Sequence, residues 1–88
     1  MGLRETLEKA HSALKKEKIE HALIGGFALA AHGVHRATVD IDLLVDGSRK
    51  DDIKRALSDV GFLLVYESDE VLQFSGVGAL DVLLARRP

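Results

Sequence analysis

Two segments of the sequence alternate apolar and acidic side chains in a pattern that is typical of a β-sheet covered on one face only. Residues 38–45 read T-V-D-I-D-L-L-V, and residues 80–85 read L-D-V-L-L-A. Successive side chains of a strand point to opposite faces, so Asp40 and Asp42 share one face and their apolar neighbours share the other. Asp81 stands in the same relation to its own neighbours. Because Asp is among the poorest strand residues, these three positions require a reason beyond folding.

The remaining periodicity predicts an α+β chain. Apolar residues at helical spacing predict helices at 3–17, from Phe27 to near Gly33, and at 49–59. Short apolar runs bounded by turn residues predict further strands at 21–24, 62–66 and 71–74. Ser48 is the expected N-cap of the third helix. The order α-β-α-β-α-β-β-β predicts a two-layer fold, in which a mixed β-sheet carries its helices on one side.

Composition narrows the class of protein. The chain has 88 residues, no internal proline and no linker-like stretch, which predicts one domain over residues 1–88. The lack of cysteine excludes disulfides, thiolate metal sites and a cysteine nucleophile. No apolar run approaches the ~20 residues that span a bilayer, and the first residues do not read as a signal peptide, so a cytoplasmic protein without membrane contact is expected. A net charge of −2 argues against nucleic-acid binding by bulk electrostatics.

The aspartates predict a site for divalent cations. Asp40 and Asp42 lie at strand positions i and i+2, roughly 6–7 Å apart along the strand. Like charges so placed repel each other, and a cation between them removes that cost. Hard oxygen ligands suit Mg²⁺ or Mn²⁺. If the strand at 80–85 lies beside the strand at 38–45, Asp81 joins them and the three carboxylates form a two-metal site.

Gly25 and Gly26 predict a phosphate site. They separate a short strand from a predicted buried helix, and the N–H groups at a helix start bind anions. A Gly-Gly pair is also compatible with a simple tight turn. Combined with the aspartates, the pair suggests that one element binds phosphates while the other binds the metal that bridges them.

The stretch I-G-G-F-A-L-A-A-H-G-V-H-R-A-T-V-D-I-D-L resembles the signature of the nucleotidyltransferase superfamily that includes DNA polymerase β. The signature combines Gly-Gly with a D-x-D strand, and thirteen residues separate Gly26 from Asp40 here. Asp81 matches the third carboxylate of that family. The forms G-G-x-A, H-G and R-x-T-x-D-I-D are similar to the small prokaryotic nucleotidyltransferases of abortive-infection and toxin–antitoxin systems.

The resemblance implies a reaction and a set of roles. Gly25 and Gly26 would contact the triphosphate of an NTP, while Asp40, Asp42 and Asp81 would ligate Mg²⁺. Asp81 would also assist deprotonation of an acceptor hydroxyl. The implied reaction is attack of that hydroxyl on the α-phosphorus, which transfers an NMP and releases pyrophosphate.

Several residues are compatible with either a functional or a structural role. Arg36 and Thr38 immediately precede the D-x-D strand and are candidate nucleotide-binding residues, although Arg36 also suits a structural or solvated role. His32 and His35 form an H-x-x-H that suits either a metal or structural hydrogen bonds. Many family members have Ser where this chain has Phe27.

The substrate and the partners stay open at this point. An RNA end, a protein side chain and a small molecule all qualify as the hydroxyl acceptor. Family members continue into a helical C-terminal region after the third carboxylate, so this chain is expected to be a minimal domain that lacks that region. A partner protein or a homodimer would then complete the site. The alternative functions are a non-catalytic module or antitoxin-like partner subunit, and a plain metal- or phosphate-binding domain.

Overall fold

The computed structural model describes residues 2–25 and 41–86. Two α-helices, α1 and α2, span Leu3–Lys16 and Lys50–Asp59, and a 3₁₀ turn at Gly47–Arg49 precedes α2. The strands, in chain order, are β1 His21–Gly25, β2 Ile41–Asp46, β3 Leu63–Glu67, β4 Val71–Ser75 and β5 Leu80–Ala85. The predicted helix after Gly26 and the first three residues of the strand predicted at 38–45 lie outside the described residues.

The five strands form one mixed sheet in the order β1-β2-β5-β4-β3. Strands β2 and β5 are parallel, and the other neighbouring pairs are antiparallel. The parallel pair needs a crossover, and the chain between the two strands supplies α2 and the β3–β4 hairpin. Strand β5, although it follows the other strands in sequence, therefore occupies the middle of the sheet. The α+β class, with its mixed sheet, is confirmed.

Both helices pack on one face of the sheet, as the alternation of β2 and β5 predicts. The apolar side chains of these strands enter the core, and the aspartates are on the opposite face at half-buried positions. Core side chains that are almost fully buried come from both layers: Leu14, Ile41, Leu43, Ile53, Leu57, Leu72, Leu80 and Val82. Their burial removes apolar surface from water, which is the main favourable term in folding. Neither described helix is long and apolar enough to cross a membrane.

The start of α2 differs from the expectation. Ser48 is not the N-cap, because Arg49 occupies that position without a capping side chain. Instead, the Asp46 carboxylate accepts a hydrogen bond from the Ser48 backbone N–H at 3.0 Å. That bond winds the chain into the 3₁₀ turn and delays the helix until Lys50. At the other end, Gly61 has φ 102°, a left-handed conformation that glycine adopts easily and that ends the helix.

Candidate functional site

The sheet register aligns four residues across four neighbouring strands. Gly25 is opposite Asp42, Asp42 is opposite Asp81, and Asp81 is opposite Gln73. Laterally paired side chains point to the same face of a sheet. The two carboxylates and the amide therefore lie on the face opposite α1 and α2, which we call the open face. We call Gly25, Asp42, Asp81 and Gln73 the polar row. The condition set by the sequence is met, because β5 lies beside β2 and Asp81 is next to Asp42.

The core fixes the orientation of both carboxylates. Asp42 lies between Ile41 and Leu43, and Asp81 has Leu80 on one side, all with side chains that are 0% exposed. A slip of one residue in either strand would drive a carboxylate into the core and expose those apolar side chains. The hydrophobic pattern therefore holds the two acidic groups side by side on the open face.

This pairing creates a local concentration of negative charge. Strands in a sheet lie ≈ 4.8 Å apart, and like charges directly opposite each other are destabilising. Both carboxylates are half-buried rather than fully solvated, so water screens them less than it screens a surface pair. Two adjacent, rigidly placed carboxylates offer the hard oxygen donors that Mg²⁺ and Mn²⁺ prefer. The donors on this face are therefore of the chemical type that a divalent cation prefers.

Only some of the predicted site residues belong to the described part of the chain. Gly25 is at the end of β1, where a register irregularity after Leu23 brings it opposite Asp42. Six candidate site residues lie outside the described residues: Gly26, His32, His35, Arg36, Thr38 and Asp40. Within residues 2–25 and 41–86, no group of three or more His, Cys, Asp or Glu side chains could hold a metal ion. The polar row thus supplies two of the three predicted carboxylates, Asp42 and Asp81.

Gln73 is a member of the row that the sequence pattern did not single out. It interrupts strand β4, V-L-Q-F-S, between two buried neighbours, Leu72 and Phe74. The one sequence feature that marks Gln73 is an amide at the centre of a mostly apolar strand. That feature indicates a site residue only when the register is known to place Gln73 beside Asp81. The order of the strands in the sheet was the missing information.

A second cluster, also missed, lies on the helix side of the sheet. The Nδ1 of His21 donates to the Ile19 carbonyl at 2.9 Å, and its Nε2 accepts from the Nδ1 of His11 at 2.8 Å, the tautomers being those that satisfy the network. The pair lines a groove of about 910 Å³ between α1 and β1. Leu43 also lines this groove and points away from Asp42, so the groove is separate from the polar row. No sequence motif joins two histidines ten residues apart.

A family model matches much of the chain. The family is described as nucleotidyl transferase AbiEii toxin, type IV TA system, and its model matches residues 7–75. That range includes Gly25, Asp42 and Gln73 and ends before Asp81. No curated protein matches the chain.

Solved structures of nucleotidyltransferases share the fold. The antibiotic-resistance factor ANT(2″)-Ia in complex with adenylyl-2″-tobramycin is 25% identical, with a TM-score of 0.74 over 99% of this chain and 52% of that chain. The lincomycin-bound lincosamide antibiotic adenylyltransferase LnuA is 18% identical, with a TM-score of 0.71 over 96% of this chain and 56% of that one. Terminal uridylyl transferase 4 from Trypanosoma brucei with bound GTP is 19% identical, with a TM-score of 0.59 over 97% of this chain and 30% of that one. The chain thus spans about half the length of the two antibiotic-modifying proteins.

Proposed function

This chain belongs to the nucleotidyl transferase AbiEii family, and from that premise we propose that it transfers a nucleoside monophosphate from an NTP to an acceptor hydroxyl, with release of pyrophosphate. The observation that carries the proposal is the register that sets Asp42 beside Asp81, with Gly25 next in the row. The other predicted members of the site lie between Gly25 and β2 in the sequence, which supports their inclusion in the proposed site.

We assign Asp40, Asp42 and Asp81 as the ligands of Mg²⁺ or Mn²⁺. Support comes from the adjacency of two half-buried carboxylates on the open face and from the position of Asp40 two residues before Asp42. When bound, the cation neutralises charge on the phosphates and on the reacting oxygens. Without it, the adjacent carboxylates would repel a polyphosphate, so metal and nucleotide are expected to bind together.

The order of residues in the polar row indicates where the nucleotide and the acceptor would bind. Gly25 is at the β1 end of the row. Backbone N–H groups of Gly25 and Gly26 would bind the triphosphate, and Arg36 and Thr38 would add contacts to its oxygens. Asp81 is on the far side of Asp42 from Gly25. A carboxylate oxygen of Asp81 would accept the proton of the acceptor hydroxyl, so the acceptor approaches from the β4 side. In this arrangement the protein contributes chiefly by orienting the two reactants.

Several classes of acceptor, and one class of partner protein, are compatible with the proposed reaction. An RNA end, a protein side chain and a small molecule all present the hydroxyl that this chemistry needs, and two of the structural neighbours were solved with antibiotics or an adenylylated antibiotic. The toxin–antitoxin family supports an antitoxin as a protein partner. Because the donor is an NTP, the reaction belongs in the cytoplasm, where NTPs are abundant.

Transfer of label tests the function. We would incubate the purified protein with Mg²⁺, each of the four α-³²P-labelled NTPs, and separate RNA, protein and small-molecule fractions of a cell extract. We expect label in one fraction, and a loss of at least about 100-fold in Asp42→Asn and Asp81→Asn, since each removes charge that stabilises the transition state. Asp69→Asn is the matched control, because that carboxylate is on the exposed β3–β4 turn.

Two results would contradict the proposal. Label that persists in Asp42→Asn would show that the row does not perform the transfer. An absence of labelling with every NTP, combined with no change in melting temperature on adding Mg²⁺ and NTP, would remove the nucleotidyltransferase assignment for this chain. Nucleotide binding without transfer would instead favour the non-catalytic subunit.

A further inference from the structure

Gln73 is the lateral neighbour of Asp81 on the side away from Asp42. The register of β4 and β5 pairs the two residues directly, and both are half-buried on the open face. Asp81 therefore lies between a carboxylate on one strand and an amide on the other. No part of the proposed reaction described so far uses that amide.

The core holds Gln73 on this face. Its neighbours Leu72 and Phe74 are buried, and they pair with Val82 and Leu80 of the next strand. These two apolar pairs stand on either side of the Gln73–Asp81 pair, on the opposite face of the sheet. A slip of one residue in β4 would break both pairs, so the core holds the Gln73 side chain on the same face as Asp81.

The chemistry of an amide suits this position. Opposed side chains on adjacent strands have Cβ atoms about 5 Å apart, within reach of a hydrogen bond from a side chain as long as Gln. The amide offers two N–H donors and carries no charge. A Glu here would add a third negative charge to the row, and a Lys would compete with the cation. Among polar side chains, a neutral donor is the type that orients a metal-binding carboxylate without altering the charge of the site.

We propose that Gln73 is a positioning residue: when a divalent cation is bound, its side-chain amide would donate a hydrogen bond to the Asp81 carboxylate and orient that carboxylate toward the cation. The inference rests on the proposed function of the polar row as a metal site. Partners that orient metal ligands in this way typically contribute 10–100-fold in metal affinity.

Titration of the whole chain with Mn²⁺ alone tests the inference. Calorimetry or electron paramagnetic resonance measures the binding. We expect Gln73→Leu, which keeps the size but removes the amide, to weaken Mn²⁺ binding by about 10–100-fold. Ser75→Ala is the matched control, since Ser75 is on the same face of β4 two residues away, and it should bind as wild type does. Melting temperatures in EDTA check that each variant folds, and Gln73→Met replaces Gln73→Leu if the latter is unstable.

The outcomes separate this inference from the function on which it rests. If wild type binds Mn²⁺ and Asp42→Asn does not, the metal site stands. Binding by Gln73→Leu at the wild-type affinity would then overturn the role of Gln73 alone. If wild type and Asp42→Asn bind Mn²⁺ equally poorly, both the metal site and the role of Gln73 are wrong. A loss of affinity in Gln73→Leu with an unchanged melting temperature in EDTA supports a positioning role, because a purely structural residue would change the melting temperature.

Discussion

Asp42 is paired with Asp81 across the parallel strands, and we expect like charges so placed to cost stability when no cation is bound. We expect Asp42→Asn to raise the free energy of unfolding in EDTA by about 0.2–1 kcal/mol, because one of the two like charges is removed. The same variant should lose the rise in melting temperature that Mg²⁺ gives to wild type. Thermal unfolding in EDTA and in Mg²⁺ measures both effects. Asp69→Asn should match wild type in both conditions, and a variant destabilised in EDTA would show that the Asp42–Asp81 repulsion is absent.

Single residues were predictable where they broke a pattern. Asp42 and Asp81 stand out because an acidic group inside an apolar strand needs an explanation, and the structure places both on the open face. Gln73 is a milder exception, since an amide is tolerated on a half-exposed strand face. The hydrogen bond between His11 and His21 has no sequence signature at all, because the turn after α1 determines it.

At the scale of elements, Glu67 ties strand β3 to helix α2. Its carboxylate oxygens lie 2.8 Å from the Nζ of Lys50 and 2.9 Å from the Nζ of Lys54. Hydrogen bonds from Lys50 and then Lys54 hold the pKa of Glu67 below its ordinary value of 4.5, and burial opposes them weakly. The carboxylate is more than a third exposed, so solvent screening keeps its contribution small.

The lowered pKa of Glu67 predicts the direction of a pH effect. A depressed pKa stabilises the fold above the unfolded-state pKa, and that stability is lost as the pH falls through the folded-state pKa. Glu67→Gln should therefore be less stable than wild type at pH 7, and the difference should shrink as the pH falls below about 4.5. Urea unfolding at pH 7 and pH 3 measures it. Glu70→Gln, which removes a carboxylate from the exposed turn, is the control. A gap between Glu67→Gln and wild type that stays constant with pH would contradict the ion-pair account.

The elements themselves were largely predictable, and their arrangement was not. The bounds of α1 and β5 agree with the sequence periodicity to within one residue, because both have a clear apolar face. The error at Ser48 arose because the Asp46 carboxylate accepts a hydrogen bond from the Ser48 N–H, which starts a 3₁₀ turn before the helix. The parallel pairing of β2 with β5 depends on the crossover through α2, which no local pattern encodes. The adjacency of Asp42 and Asp81 depends on that one pairing.

At the scale of the whole molecule, one small core supports the sheet and both helices. A domain of this size buries a modest fraction of its surface, so its stability is marginal. We expect Leu57→Ala, at a fully buried position of α2, to lower the free energy of unfolding by about 2–5 kcal/mol. Val65→Ala, at a position of β3 that is 62% exposed, should lower it by much less. Urea denaturation at neutral pH compares the two, and equal losses would mean that the core is not where the structure places it.

The central position of β5 has a consequence for how the protein is made. The sheet partners of this strand, β2 and β4, both precede it in the chain, and neither touches the other in the sheet. During synthesis on the ribosome the two halves of the sheet therefore stay separate until the last strand emerges and inserts between them. Asp42 meets Asp81 only at that moment. A partly synthesised chain that lacks β5 would thus carry no assembled Asp42–Asp81 pair.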